Sequence, residues 1–73
     1  MKKERFTKAL GARVRKIRIA KGVSLYRLAK DTKKQHQSLV RMEQGKISLS
    51  LYYLSEIAEG LGITLEELVK GLP

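Results

Sequence analysis

The sequence has no cysteine. It can form no disulfide and no thiolate metal site, and it fits a reducing compartment. It has a single histidine, His36, with no second histidine or cysteine to complete a metal set. No apolar run approaches the roughly 20 residues that cross a bilayer. The opening "MKKERFTKAL" is basic but lacks an apolar core, so it does not read as a signal peptide. Acidic residues are scarce as well: seven Asp and Glu stand against 16 Lys and Arg. These absences lead to a soluble, cytoplasmic protein without cofactor, membrane segment or evident small-molecule ligand.

What is present is unevenly placed. Residues 1–46 hold 15 Lys and Arg against Glu4, Asp31 and Glu43. Residues 47–73 hold Lys70 against Glu56, Glu59, Glu66 and Glu67. A chain that is basic at one end draws a polyanion over long range. Nucleic acid is the first candidate. A basic membrane-surface peptide is excluded, because the cations are spread over several helices instead of one amphipathic face. At 73 residues the chain is one domain, 1–73, burying only about 60% of the surface its unfolded form exposes.

Apolar positions recur at helical spacing. Leu10, Val14 and Ile17 form one stripe, Leu25, Leu28 and Ala29 a second, and Leu39 with Met42 a third. Leu51, Leu54, Ile57, Ala58 and Leu61 form the longest, and Ile63, Leu65, Leu68 and Val69 the last. Gly22, Gly45 and Gly62 fall between them as stops. Ser24 and Ser50 stand as caps, and "TLEE" from Thr64 to Glu67 is a capping box. The expectation is five helices near 6–21, 24–31, 35–44, 51–61 and 65–70. "ISLSL" (47–51) alternates with strand period. With no partner strand, Ile47–Leu49 reads as an extended loop; a short strand pairing with a second copy is the lesser alternative.

Helix 24–31, a turn of about three residues and helix 35–44 have the proportions of a helix-turn-helix, whose second helix enters the DNA major groove. Leu39 and Met42 face inward. The other faces carry Gln35, His36, Gln37, Ser38 and Arg41, which have hydrogen-bonding ends and no negative charge. Gln can pair two atoms of adenine, and Arg two of guanine.

The chain resembles the phage repressor/Cro class of helix-turn-helix domains, the XRE family. "LGARVRKIR" (10–18), "SLYRLAK" (24–30), "SLVRMEQGK" (38–46) and "SLYYLSEIAEGLGITLEELV" (50–69) are similar, in order, to the family's helices. The resemblance implies an all-α, five-helix, lambda-repressor-like bundle. It implies base contacts from Gln35, His36, Gln37, Ser38 and Arg41. Backbone contacts would come from Ser24, Leu25, Lys46 and Ser48, and a structural ion pair from Arg18 and Glu43; Lys33 and Lys34, which match no family residue, would add phosphate contacts through their own charge. It further implies a homodimer on a near-palindromic operator, a repressor of bacterial or phage origin, and a nucleoid-associated location. The chain departs from the pattern at the turn. Lys33 stands where glycine is usual, Lys34 where an apolar residue is, Gln35 at the cap, and Leu49 where proline is common.

Other features take plainer readings. "EGLGI" (59–63) lacks the lysine and preceding strand of a phosphate loop and reads as a helix stop. Glu66 and Glu67 are first-turn charges. No nucleophile–base pair is evident, so the chain is not read as an enzyme. Lys2, Lys3 and Arg5 are either a solvated terminus or a flexible basic arm over 1–5 that follows DNA. Ile47, Leu49, Tyr52 and Tyr53 either cover the core edge or form an exposed patch at a dimer interface. An antitoxin or protein-interaction module on the same fold, using 47–54, is the alternative function.

Overall fold

The apolar stripes resolve into five helices and no strand among residues 2–73, which the computed structural model describes. They are α1 (Lys3–Ala20), α2 (Leu25–Thr32), α3 (His36–Glu43), α4 (Leu51–Gly60) and α5 (Leu65–Val69). Helix α1 packs on α3 and α5, α2 packs on α3 and α4, and α4 packs on α5. All five feed one core, in which Val14, Leu28, Leu39, Met42, Ile57 and Leu68 are the largest fully enclosed side chains. Each such burial contributes about 1.5–3 kcal/mol.

Local chemistry sets the boundaries of α2, α4 and α5. The Ser24 hydroxyl accepts from the Arg27 amide at 3.1 Å, and that of Ser50 from the Tyr53 amide at 3.0 Å. At α5, the Thr64 hydroxyl accepts from the Glu67 amide while Glu67 Oε1 accepts from the Thr64 amide, both at 3.0 Å. This is the reciprocal capping box.

Helix α1 begins three residues before the expected start at residue 6. Its apolar stripe does not reach that far, but other forces do. Glu4 lies in the first turn, where the helix dipole favours an acid. The Thr7 hydroxyl donates to the Gly45 carbonyl at 3.0 Å, docking the start of α1 on the exit of α3. Of the segment 1–5 read as an arm, Lys2 is an extended cap and Lys3–Arg5 are helical, while Met1 lies outside the described residues.

Two close approaches set where α3 sits. A Cβ on Gly11 would collide with the Met42 and Glu43 carbonyl oxygens, so α1 meets the backbone of α3 directly. Gly45 has φ +74, and a Cβ there would lie 2.6 Å from Lys8 Cα. Only glycine serves both the turn and that approach.

After Gly45 the chain reaches Ser50 without helix or strand and bends at Ile47, where an extended loop was expected. Ile47, Leu49 and Tyr53 are half-buried against the core, so they cover its edge. Leu51 and Tyr52 point outward, at 70% and 74% exposure.

Candidate nucleic-acid interface

Helix α3 has eight residues, too few to hold its shape alone. It buries only Leu39 and Met42. Polar contacts supply the rest of its anchorage. Arg18 on α1 grips Glu43 through Nε to Oε2 at 2.7 Å and Nη2 to Oε1 at 3.1 Å, with side chains 13% and 7% exposed. Arg18 Nη1 also donates to the Val23 carbonyl at 3.0 Å. The Glu43 hydrogen bonds raise the Arg18 pKa further above its ordinary range, against the burial that lowers it. The acid nearest the outer face of α3 is thereby turned inward and neutralised.

The turn into α3 takes the backbone form that glycine usually supplies. Lys33 has φ 56 and ψ 40, and it is the one non-glycine residue with positive φ among those described. Its amide and that of Lys34 bond back to Lys30 and Ala29, closing α2. Gln35 occupies the cap of α3 without a side-chain cap bond, as suits a weak capping residue.

Lys34, expected at the DNA backbone, is engaged within the fold. Its ammonium lies 2.8 Å from Glu56 Oε1 and 4.1 Å from the centre of the Tyr53 ring, with the side chain 14% exposed. The stem fills the place where an apolar residue was expected, and Glu56 on α4 neutralises the head. Tyr53 shares this cluster. Its hydroxyl is enclosed and without a hydrogen-bond partner among the described residues. Burial pushes its pKa up, and the neighbouring Lys34 charge opposes that rise. Leu25 likewise turns its side chain onto the core, leaving only its backbone at the α2 N-terminus for an anion.

The remaining sequence-selected residues are all exposed or half-buried. Gln35, Gln37 and Arg41 are exposed, and His36 and Ser38 are half-buried. Gln37 and Arg41 are one turn apart and share a face. Lys33 is exposed before the helix, and Lys46 and Ser48 are exposed after it. Ser24 is exposed at the start of α2, where its hydroxyl is engaged as a cap.

One contact in this region was not read from the sequence. The Tyr26 ring on α2 stacks on His36, with centroids 4.0 Å apart and planes 16° from parallel. The residues are ten apart, and only the turn geometry brings them together. Arg27 and Asp31, at 3.5 Å, make an exposed pair on α2, of a kind worth under about 1 kcal/mol.

No group of three His, Asp or Glu side chains that could hold a metal occurs among the described residues. No described helix is long and apolar enough to cross a membrane.

The profile of HTH_3, helix-turn-helix, matches residues 14–68. Solved structures share the fold closely. The clp gene regulator ClgR from C. glutamicum is 30% identical with a TM-score of 0.84, over 88% of this chain and 83% of its own. The restriction-modification controller protein C.AhdI from Aeromonas hydrophila is 31% identical with a TM-score of 0.82, over 85% and 94%. The DNA-binding domain of BldD is 29% identical with a TM-score of 0.80, over 100% of both chains. A comparison with curated proteins gives no match.

Proposed function

Because the chain belongs to the HTH_3 helix-turn-helix family, and similar solved structures include a gene regulator and a DNA-binding domain, we propose that it is a sequence-specific, double-stranded DNA-binding transcriptional repressor. The single domain 1–73 lays α3 in the major groove. Gln35, His36, Gln37, Ser38 and Arg41 read base edges. Ser24, the backbone at Leu25, Lys33, Lys46 and Ser48 hold the phosphates. Occupancy of the operator blocks the polymerase.

One observation carries this reading. The outer face of α3 offers donors and acceptors but no carboxylate, because Glu43 is folded back onto Arg18. A free carboxylate there would repel the phosphates. The homodimer we assign to the bound state would place two copies of α3 on half-sites about one helical turn apart.

Selection of binding sites from random duplexes, repeated at two salt concentrations, tests the reading. A sharp motif is expected. Motif-free binding that falls steeply with salt would leave only phosphate attraction and would overturn base reading.

A second reading has one observation in its favour. Leu51 and Tyr52 are adjacent, apolar and exposed at the start of α4. An antitoxin or protein-interaction module would use that face. Under it, replacing both residues with alanine abolishes partner binding while DNA selection by α3 is absent from the outset.

A further inference from the structure

The stack of Tyr26 on His36 has no role in holding the core together. Tyr26 is 72% exposed and is not among the residues of α2 that enter the core, Leu28, Ala29 and Thr32. His36 is the first residue of α3, directly after a cap that lacks a side-chain bond. The start of α3 therefore has a strained residue before it at Lys33 and a weak cap at Gln35. An imidazole there would ordinarily sample several rotamers. Instead its face is covered by a phenol ring at 4.0 Å and nearly parallel.

Stacking engages the faces of the two rings. Both imidazole nitrogens lie in the ring plane, where one donates and the other accepts in the neutral form. The contact thus restrains the ring while leaving its hydrogen-bonding edge uncommitted by the tyrosine. Holding a polar group in one orientation before the ligand arrives removes an ordering cost from binding.

The geometry points to Tyr26 as a positioning residue for base recognition: it stacks on His36 and presents the imidazole edge to one base pair of the operator. The inference rests on α3 being the reading helix. Tyr26 itself touches no base. Its phenol hydroxyl is dispensable for this role, and its ring is not.

The test uses the full chain and the duplex that it selects, together with duplexes changed at single base pairs. Variants Tyr26→Ala, Tyr26→Phe, His36→Ala and Arg41→Ala are compared. Tyr26 is exposed, so its replacement leaves the core intact. Tyr26→Ala should cut discrimination about three- to tenfold at the base pair where His36→Ala does, and at no other. Tyr26→Ala combined with His36→Ala should be no worse than His36→Ala alone. Tyr26→Phe should restore discrimination. By NMR, the His36 ring protons of the free protein should lie upfield under the tyrosine ring current, and move downfield in Tyr26→Ala but not in Tyr26→Phe.

Uniform weakening on every duplex by Tyr26→Ala would make Tyr26 a backbone contact and overturn the proposal. So would failure of phenylalanine to rescue. If His36→Ala moves no base preference while Arg41→Ala does, this inference falls and the reading helix stands. If neither moves any preference, base reading by α3 fails and the inference fails with it.

Discussion

Arg18 and Glu43 are 25 residues apart in sequence and joined by two hydrogen bonds of 2.7 and 3.1 Å across α1 and α3. Both side chains are nearly enclosed. Removing one partner of such a pair leaves a desolvated charge and costs about 3–5 kcal/mol. A domain of this size has a total stability of only about 4–11 kcal/mol. Glu43→Ala should therefore destabilise the fold by about 3 kcal/mol in urea unfolding. The double variant Arg18→Met with Glu43→Leu should recover most of that loss, because it leaves no unpaired charge. A loss under about 1 kcal/mol for Glu43→Ala would show that water screens the pair as it does on a surface.

Lys33 and Lys34 are neighbours with opposite expected behaviour. Lys33 holds a left-handed conformation that strains any side chain by about 1–2 kcal/mol. Lys33→Gly should raise stability by about 1 kcal/mol, or about 4–8 °C in Tm. It should also lower the salt dependence of DNA binding by about 0.9 in slope, since a phosphate contact is lost. Lys34→Ala should do the reverse. It breaks the contacts with Glu56 and Tyr53 and should cost about 1–3 kcal/mol of stability. The salt slope should stay unchanged. Paired thermal melts and salt titrations separate the two, and a flattened slope for Lys34→Ala would return it to the DNA surface.

The capping box of α5 gives a pH dependence of known sign. The Thr64 amide, and after it the Thr64 hydroxyl, hold the Glu67 carboxylate and lower its pKa from the ordinary 4.5. A lowered folded-state pKa adds stability that is fully present above that ordinary value and lost as pH falls through the lowered one. The start of α5 should thus loosen only below about pH 4.5. An NMR titration of Glu67 should find a midpoint below the ordinary value. Thr64→Ala should raise that midpoint only part of the way, because the amide bond remains. An unmoved midpoint would remove the hydroxyl from the account.

What could be read from the sequence was local. Ser24, Ser50 and Thr64 each bond an amide three residues on, so their caps needed no knowledge of the fold. The five apolar stripes locate the five helices for the same reason. The positive φ of Lys33 could be anticipated because the turn's backbone form belongs to the motif, whatever residue occupies it. What escaped depends on packing. Lys34 looked like a surface cation until α4 brought Glu56 to within 2.8 Å of it. The helical start at Lys3–Arg5 gave no signal, because docking of Thr7 on Gly45 spans 38 residues. Tyr26 gave no signal, since only the bend between α2 and α3 lays it on His36. Gly11 did give one: a glycine inside an apolar helical stripe marks a close approach, and α3 is what approaches.

Arg41 is the side chain on which base recognition should depend most sharply. It is exposed on the same face as Gln37, and no acid pairs with it among the described residues. Its guanidinium can donate two parallel bonds to one guanine edge. Arg41→Ala should cost about 1–3 kcal/mol on the selected duplex. The loss should vanish on a duplex whose matching base pair is changed, since there the wild type has nothing to grip. Stability should stay within about 0.5 kcal/mol of wild type, because the residue lies outside the core. Lys33→Ala is the control, weakening all duplexes alike. If Arg41→Ala also weakened them alike, its charge would be meeting a phosphate, and recognition would fall to Gln35, His36 and Gln37.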